Sequence, residues 1–259
     1  MAKQNTAPTM KDVAKEAGVS LGTVSKVING IPVGDEYRKK VEQAIKTLDY
    51  HINAYAKGLK NNRTYTVAVI LPNLLNPFFS MVAHYINRAL VNRGYRMLLC
   101  DTEYDYTKEQ EMVQMVAQNK VDGIIALTYN PDLKIPPDVR SVSIDRYLSG
   151  STTCVASDNY NGGRLAAQKL VENGCKNLAF LRIGSPLTSE TNKRRDGFVA
   201  ECEAMQLPCT QKILMDDAPL SEFEHFLEEN LKDGRLAFDG IFCVTDKLAV
   251  AVIKMLRRM

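Results

Sequence analysis

Between Ser20 and Asn29 the chain places Leu21, Gly22, Ser25, Lys26 and Asn29 on one side of a short helical pattern, with Val24 and Val27 on the other. Hydroxyl, amide and ammonium groups in that arrangement make hydrogen bonds but do not run nucleophilic or acid–base chemistry. They suit base edges in a DNA major groove, where Lys26 can donate to the guanine acceptors. The catalytic alternatives find little support. No GxGxxG, P-loop, GxSxG or HExxH stretch occurs, and His51, His84 and His225 adjoin no Ser or Cys nucleophile motif. The six cysteines form no CxxC pair, so they read as reduced packing residues rather than metal ligands, and no cofactor is implied.

Charge is distributed unevenly. Residues 1–63 carry 11 Lys and Arg against 6 Asp and Glu, whereas the remainder carries 22 against 24. A basic N-terminal segment on a near-neutral body fits a polyanion partner, although charge alone equally fits a solvated face. With 45% hydrophobic and 24% charged residues the chain reads as globular, long enough for a small domain and one or two larger ones. No apolar stretch approaches the roughly 20 residues that span a bilayer. Met1–Thr9 is polar and lacks the apolar core of an export signal, so a cytoplasmic protein with no membrane partner is expected.

The elements that must position these groups begin with short helices. One opens at Thr9, with Asp12 three residues on, and stops at Gly18. A second takes Ser20 as N-cap and runs to Asn29, before Gly30 and Pro32 break the chain. A third spans about Asp35–Leu48, and a short fourth pattern spans Asn53–Lys60. Two short helices joined by a tight Gly18 turn, with small inward residues Ala14, Val19, Val24 and Val27, match a helix-turn-helix; the same pattern also suits a plain structural hairpin.

From Thr66 the rhythm changes. Continuously apolar runs at Thr66–Leu71, Arg96–Cys100, Gly123–Leu127, Ser141–Ile144, Leu178–Ile183 and Gly240–Val244 predict strands. Helical patterns fall at about Phe78–Arg93, Thr107–Gln118, Tyr160–Glu172, Lys193–Met205, Leu220–Leu231 and Asp246–Arg258. Strands alternating with helices predict parallel βαβ units covered on both faces.

The stretch TMKDVAKEAGVSLGTVSKVING, Thr9–Gly30, resembles the helix-turn-helix head of the LacI family of bacterial transcription regulators, densely and without gaps. The resemblance implies that Leu21, Gly22 and Lys26 face base edges after the capping Ser20. It also implies that Thr23, Ser25 and Asn29 hold phosphates. Gly22 brings no side chain, so it can only permit close approach. YHINAYAKGLK, Tyr50–Lys60, resembles the family's hinge helix, which orders on operator DNA. There Asn53, Ala56, Leu59 and Lys60 are implied to meet the minor groove, with Leu59 as the wedge between base pairs. Taken alone, Leu59 would more often be a packing residue.

The remainder resembles the family's periplasmic-binding-protein-like sensor, through VAVILPNLLNPFF, KVDGIIAL, SIDR, SDNYNGGRLAAQKLVENG, RRDGF and GIFCVTDKLAVAV. The resemblance implies two Rossmann-like lobes clasping an effector at the carboxyl ends of their strands. The residues at those ends are Asn76, Phe78, Phe79, Asp145, Arg194, Thr245 and Asp246. One of Phe78 and Phe79 is expected in the core and one against the ligand, and an aromatic there can stack on a sugar face. Arg194 stands where family members grip hydroxyls or carboxylates, and Arg195 replaces it if the register slips by one. Asp246 also suits a helix cap, leaving Thr245 nearer the ligand, and Asp158 and Asn159 read as caps. Thr188 and Glu190 depart from the purine-type members, which argues against a purine ligand.

The expected whole is a small all-α head over 1–50, a hinge and linker over 51–64, and an α/β two-lobed Rossmann-like body over 65–259. Family members continue beyond the TD-x-x-A helix, so the second lobe is expected to be incomplete, with unpaired strand edges. The implied function is a repressor working as a homodimer on double-stranded operator DNA and released by a sugar-like effector. An enzyme on the α/β body lacks its motifs, and a transport solute-binding protein would have no use for the head.

Overall fold

The computed structural model describes residues 8–51, 63–130, 132–148, 152–184, 189–215 and 218–259. Two compact units meet at Thr64/Tyr65.

In the first unit, α1 (Met10–Ala17), α2 (Leu21–Ile28) and α3 (Asp35–Thr47) enclose a core of Val13, Ala14, Ala17, Val24, Val41 and Ala44. The Asp12 carboxylate accepts from the Thr9 N–H at 2.8 Å and the Thr9 hydroxyl at 2.7 Å. Those bonds, first of all the one from the Thr9 hydroxyl, hold the Asp12 carboxyl below its usual range. Gly18 adopts φ 63°, a left-handed conformation that costs a Cβ-bearing residue about 1–2 kcal/mol. That turn lets the Val19 N–H reach back to the Ala14 carbonyl at 3.1 Å and close α1 in a Schellman-type cap. The Ser20 side chain then accepts from the Thr23 N–H at 3.1 Å and starts α2.

The second unit holds two parallel sheets. The first has five strands in the order β2-β1-β3-β4-β5: β1 (Thr66–Leu71), β2 (Arg96–Asp101), β3 (Gly123–Ala126), β4 (Ser141–Ile144) and β5 (Thr153–Val155). Its covering helices are α4 (Pro77–Val91) and α5 (Tyr106–Gln118). Alternation along β1 serves two cores. Ala68 and Ile70 pack with Val113 and Val116 of α5, while Val69 and Leu71 pack with Phe79 and Ala83 of α4. A strand buried on both faces must read as a continuous apolar run, as β1 does.

The second sheet has the order β10-β6-β7: β6 (Leu178–Ile183), β7 (Cys209–Leu214) and β10 (Gly240–Cys243). Around it lie α6 (Asn159–Glu172), α7 (Lys193–Ala204), α8 (Ser221–Glu229) and α9 (Asp246–Leu256). Phe180, Phe198 and Phe242 form an aromatic centre with ring centroids 5.1–5.9 Å apart. A two-residue hairpin joins β8 (Leu231–Lys232) to β9 (Arg235–Leu236).

The central strands stand close to their expected ranges, and β5, β7 and the β8–β9 hairpin are additions. Helix α6 packs on α7 through paired glycines. A Cβ on Gly163 would lie 2.0 Å from the Arg194 carbonyl oxygen, and one on Gly197 would lie 1.9 Å from that of Tyr160. Only glycine at both positions admits this approach.

Candidate functional site

Two places gather the expected groups, one in each unit. On α2, Leu21, Gly22, Lys26 and Asn29 are exposed and Ser25 half-exposed, while Val24 is wholly buried. Helix periodicity thus separates a packing side from an accessible polar side. The face is pre-set by short bonds: the Ser20 and Thr23 hydroxyls lie 2.9 Å apart, and the Asn29 amide donates to the Ser25 carbonyl at 2.8 Å. Lys26 makes no ion pair among the described residues, so its ammonium is available to an outside acceptor. The hinge residues Asn53, Ala56, Leu59 and Lys60 lie outside the described residues.

In the second unit, a polar chain joins the carboxyl ends of strands from both sheets. Asp145 follows β4, is 7% exposed, and holds φ 55°. Its N–H donates to the Val155 carbonyl at 3.0 Å, and its own carbonyl accepts from the Glu190 N–H at 3.1 Å. An aspartate held left-handed at a strand end by contacts on both sides is strain of the kind that collects at binding sites. The Asn159 amide donates to Asp145 Oδ1 at 3.4 Å, and Asn159 Oδ1 accepts from Arg194 Nε at 2.8 Å. Arg194 Nη1 in turn donates to the Val244 carbonyl, just past β10, at 2.9 Å. Neighbouring Arg146 donates to the Thr191 hydroxyl at 2.8 Å, and its guanidinium lies 4.4 Å from the centre of the Tyr129 ring. Such an assembly can hold hydroxyl or anionic groups of a ligand between fixed donors and an aromatic face.

Other expected residues have structural employment. Asn76 caps α4, its side-chain oxygen accepting from the Phe78 N–H at 3.0 Å. Phe79 is 4% exposed in the α4 core, whereas Phe78 is 46% exposed. The cap considered at Asp246 is instead Thr245, whose hydroxyl accepts from the Leu248 N–H at 3.3 Å, because its extended φ and ψ fit the position before a helix. Asp246 is exposed and accepts from the Lys247 N–H at 2.8 Å. Arg195 faces away from the polar chain, pairs with Asp196 at 3.1 Å, and lines a recess of about 250 Å³ with Tyr147, Arg182 and Lys193. None of the seven expected effector residues lines that recess, so the polar chain rather than the recess carries the functional reading. Asp158 caps α6 as expected. Asn159 does not cap; it is 4% exposed and bridges Asp145 to Arg194, a role that its place beside a capping aspartate concealed. Thr188 lies outside the described residues.

The thiols are poor nucleophiles here. Burial pushes Cys202 up to about 12 and Cys243 up to about 11, so both stay protonated near neutrality. No group of metal-ligating side chains occurs among the described residues, and no described helix is long and apolar enough to cross a membrane.

Comparison with known proteins adds independent findings. Residues 9–53 match the model of bacterial regulatory proteins of the lacI family, and residues 64–258 match that of periplasmic binding proteins and the sugar-binding domain of the LacI family. The sucrose operon repressor of Pediococcus pentosaceus is 35% identical over 259 residues, 97% of this chain and 78% of that protein. The ribose operon repressor of Lactococcus lactis subsp. lactis is 36% identical over 265 residues, 97% of this chain and 76% of that protein. Among solved structures, a periplasmic binding protein/LacI transcriptional regulator from Alkaliphilus metalliredigens complexed with D-xylulofuranose superposes with TM-score 0.64 at 28% identity, covering 75% of this chain and 72% of that one. A lac repressor dimer bound to operator superposes with TM-score 0.78 at 21% identity, covering 98% and 78%, and shares the fold. With a polar helix face in its head, a strand-end polar chain in its body, and relatives of this kind along nearly its whole length, the chain belongs to the LacI family of DNA-binding transcription regulators.

Proposed function

We propose that the chain represses transcription as a cytoplasmic homodimer whose grip on operator DNA is loosened by a sugar bound in the body. The observation that carries the reading is the run Asp145–Asn159–Arg194–Val244. It ties the end of β4, the start of α6, the first turn of α7 and the end of β10 through three side-chain hydrogen bonds. A ligand that recruits Arg194 must replace those bonds, and so biases how these elements sit. A ligand shifts an equilibrium only by such a difference in affinity between arrangements.

In this reading the 1–50 head reads bases with Leu21, Gly22 and Lys26 and holds phosphates with Ser20, Thr23, Ser25 and Asn29. The 51–64 segment enters the minor groove with Asn53, Ala56, Leu59 and Lys60. The 65–259 body binds the sugar with Asp145 and Arg194, Phe78 offering an aromatic face and Phe79 filling the core behind it. Asn76, Thr245 and Asp246 frame the site from their helix starts. Exposed Met81 and Tyr85, one turn apart on α4, support a second copy as the partner of that face. The names of the sucrose and ribose operon repressors support a sugar as effector.

Fluorescence anisotropy with a pool of palindromic duplexes, over a salt series and a sugar panel, tests this. Selective, salt-dependent binding that one sugar reverses is the expected result, because phosphate contacts release counterions. Selective binding that no small molecule alters would remove the effector from the proposal, and salt-insensitive binding would remove the head.

A further inference from the structure

Arg146 is a half-buried cation whose described partners are all neutral. Its Nη1 donates to the Thr191 hydroxyl at 2.8 Å and to the Asp145 carbonyl at 3.2 Å, and its guanidinium lies over the Tyr129 ring. Tyr104 adds a second ring 5.9 Å from Tyr129. Neither Arg146 nor Arg194 enters an ion pair among the described residues. The nearby carboxylates are engaged elsewhere: Glu190 with Lys193 at 2.7 Å, Asp101 with the N–H groups of Leu74 and Glu103, and Asp145 Oδ1 with Asn159.

A guanidinium carries five N–H donors, and the edge formed by Nε and Nη2 is the one that takes a carboxylate or phosphate side-on in two parallel bonds. On Arg146 that edge has no hydrogen-bond partner among the described residues. Leaving it so in a partly desolvated place is unfavourable unless something else completes it. Tyr129 fixes the plane of the group, so the fork is aimed before a ligand arrives. Through Asp145 and Asn159 the same polar chain leads to Arg194, which places both arginines at one site.

We infer that the effector is a sugar carrying an anionic substituent, phosphate or carboxylate, taken by the Nε–Nη2 edge of Arg146 while Arg194 holds the neutral hydroxyl end. This rests on the reading of the strand ends as the effector site. It extends that reading by assigning a charge to the ligand and a role to Arg146.

Calorimetric titration of the full chain with matched probes tests it: fructose against fructose 6-phosphate, and glucose against glucose 6-phosphate and glucuronate. A phosphorylated or carboxylated probe should bind roughly 10- to 100-fold more tightly than its neutral parent, as charged hydrogen bonds allow. That preference should shrink with added salt. It should vanish in Arg146→Gln and survive in part in Arg146→Lys, with thermal unfolding by circular dichroism reporting that both variants fold. If a neutral sugar binds as well as its anionic form, or the preference persists in Arg146→Gln, the inference fails while the effector site stands. If neither class binds, the effector reading itself falls and takes the inference with it.

Discussion

Arg194 Nε sits 2.8 Å from the side-chain oxygen of Asn159, two residues brought together by helices that cross at paired glycines. Asn159 is 4% exposed and can satisfy both ends of its amide only between Arg194 and Asp145. Arg194 is therefore oriented before any ligand arrives, as recognition by a planar fork requires.

Arg194→Lys keeps the charge but loses the fork that serves Asn159 and Val244 together. Release of operator DNA by the active sugar should then need at least roughly tenfold more sugar, the loss of about one charged hydrogen bond. A dose response that matches the parent chain would place the ligand away from Arg194.

Gly197→Ala puts a methyl group 1.9 Å from the Tyr160 carbonyl oxygen, where only a backbone shift can relieve the clash. Overpacking of this kind costs about 1–3 kcal/mol or more, and denaturant unfolding of the body should show it as a lowered midpoint. Gly162→Ala, one residue from Gly163 and with nothing within 4 Å of the added carbon, is the control and should be neutral or slightly stabilising.

Lys26→Ala should flatten the preference among duplexes, by about 1–3 kcal/mol against the altered base pair, if the ammonium reads a base edge. Competition anisotropy with single-base variants of the preferred duplex measures this. A uniform loss on every duplex would make Lys26 a phosphate contact instead.

Glu109 on α5 is 3% exposed, and burial raises its carboxyl above the ordinary glutamate range, opposed by hydrogen bonds to Thr128 and Asn130. A raised acid holds its proton more tightly folded than unfolded. Its contribution to stability is thus greatest below the unfolded value and declines as pH rises through the folded one. Glu109→Gln should remove that decline, so that its stability relative to the parent improves from acid toward neutral pH in thermal melts. An equal difference at every pH would mean that Glu109 ionises freely.

The central strands were legible because burial on both faces forces uninterrupted apolar runs, as in Val67–Leu71 and Leu178–Leu181. The sequence reading passed over β7, which lies at the edge of its sheet and carries Thr210, Gln211 and Lys212, and β5, which is three residues long. The β8–β9 hairpin turns on Asp233 and Gly234 with φ 50° and 72°, a favoured two-residue turn whose flanking strands are too short to alternate. The head followed its caps closely, since Thr9, Gly18 and Ser20 each act through neighbours within five residues. Asn159 and Arg146 were less visible. Their partners lie 35 and 45 residues away, and only the fold brings them within reach.

The glycine crossing has a mechanical consequence. Each helix accepts the backbone of the other at one position only, and Glu201 fastens the pair farther along by bonds of 2.6 Å to Arg164 and 2.7 Å to Gln168. Helices α6 and α7 therefore cannot slide past one another by a turn; they swing together as one stiff lever. A displacement felt at Arg194 is not absorbed locally but reaches the opposite end of both helices at once.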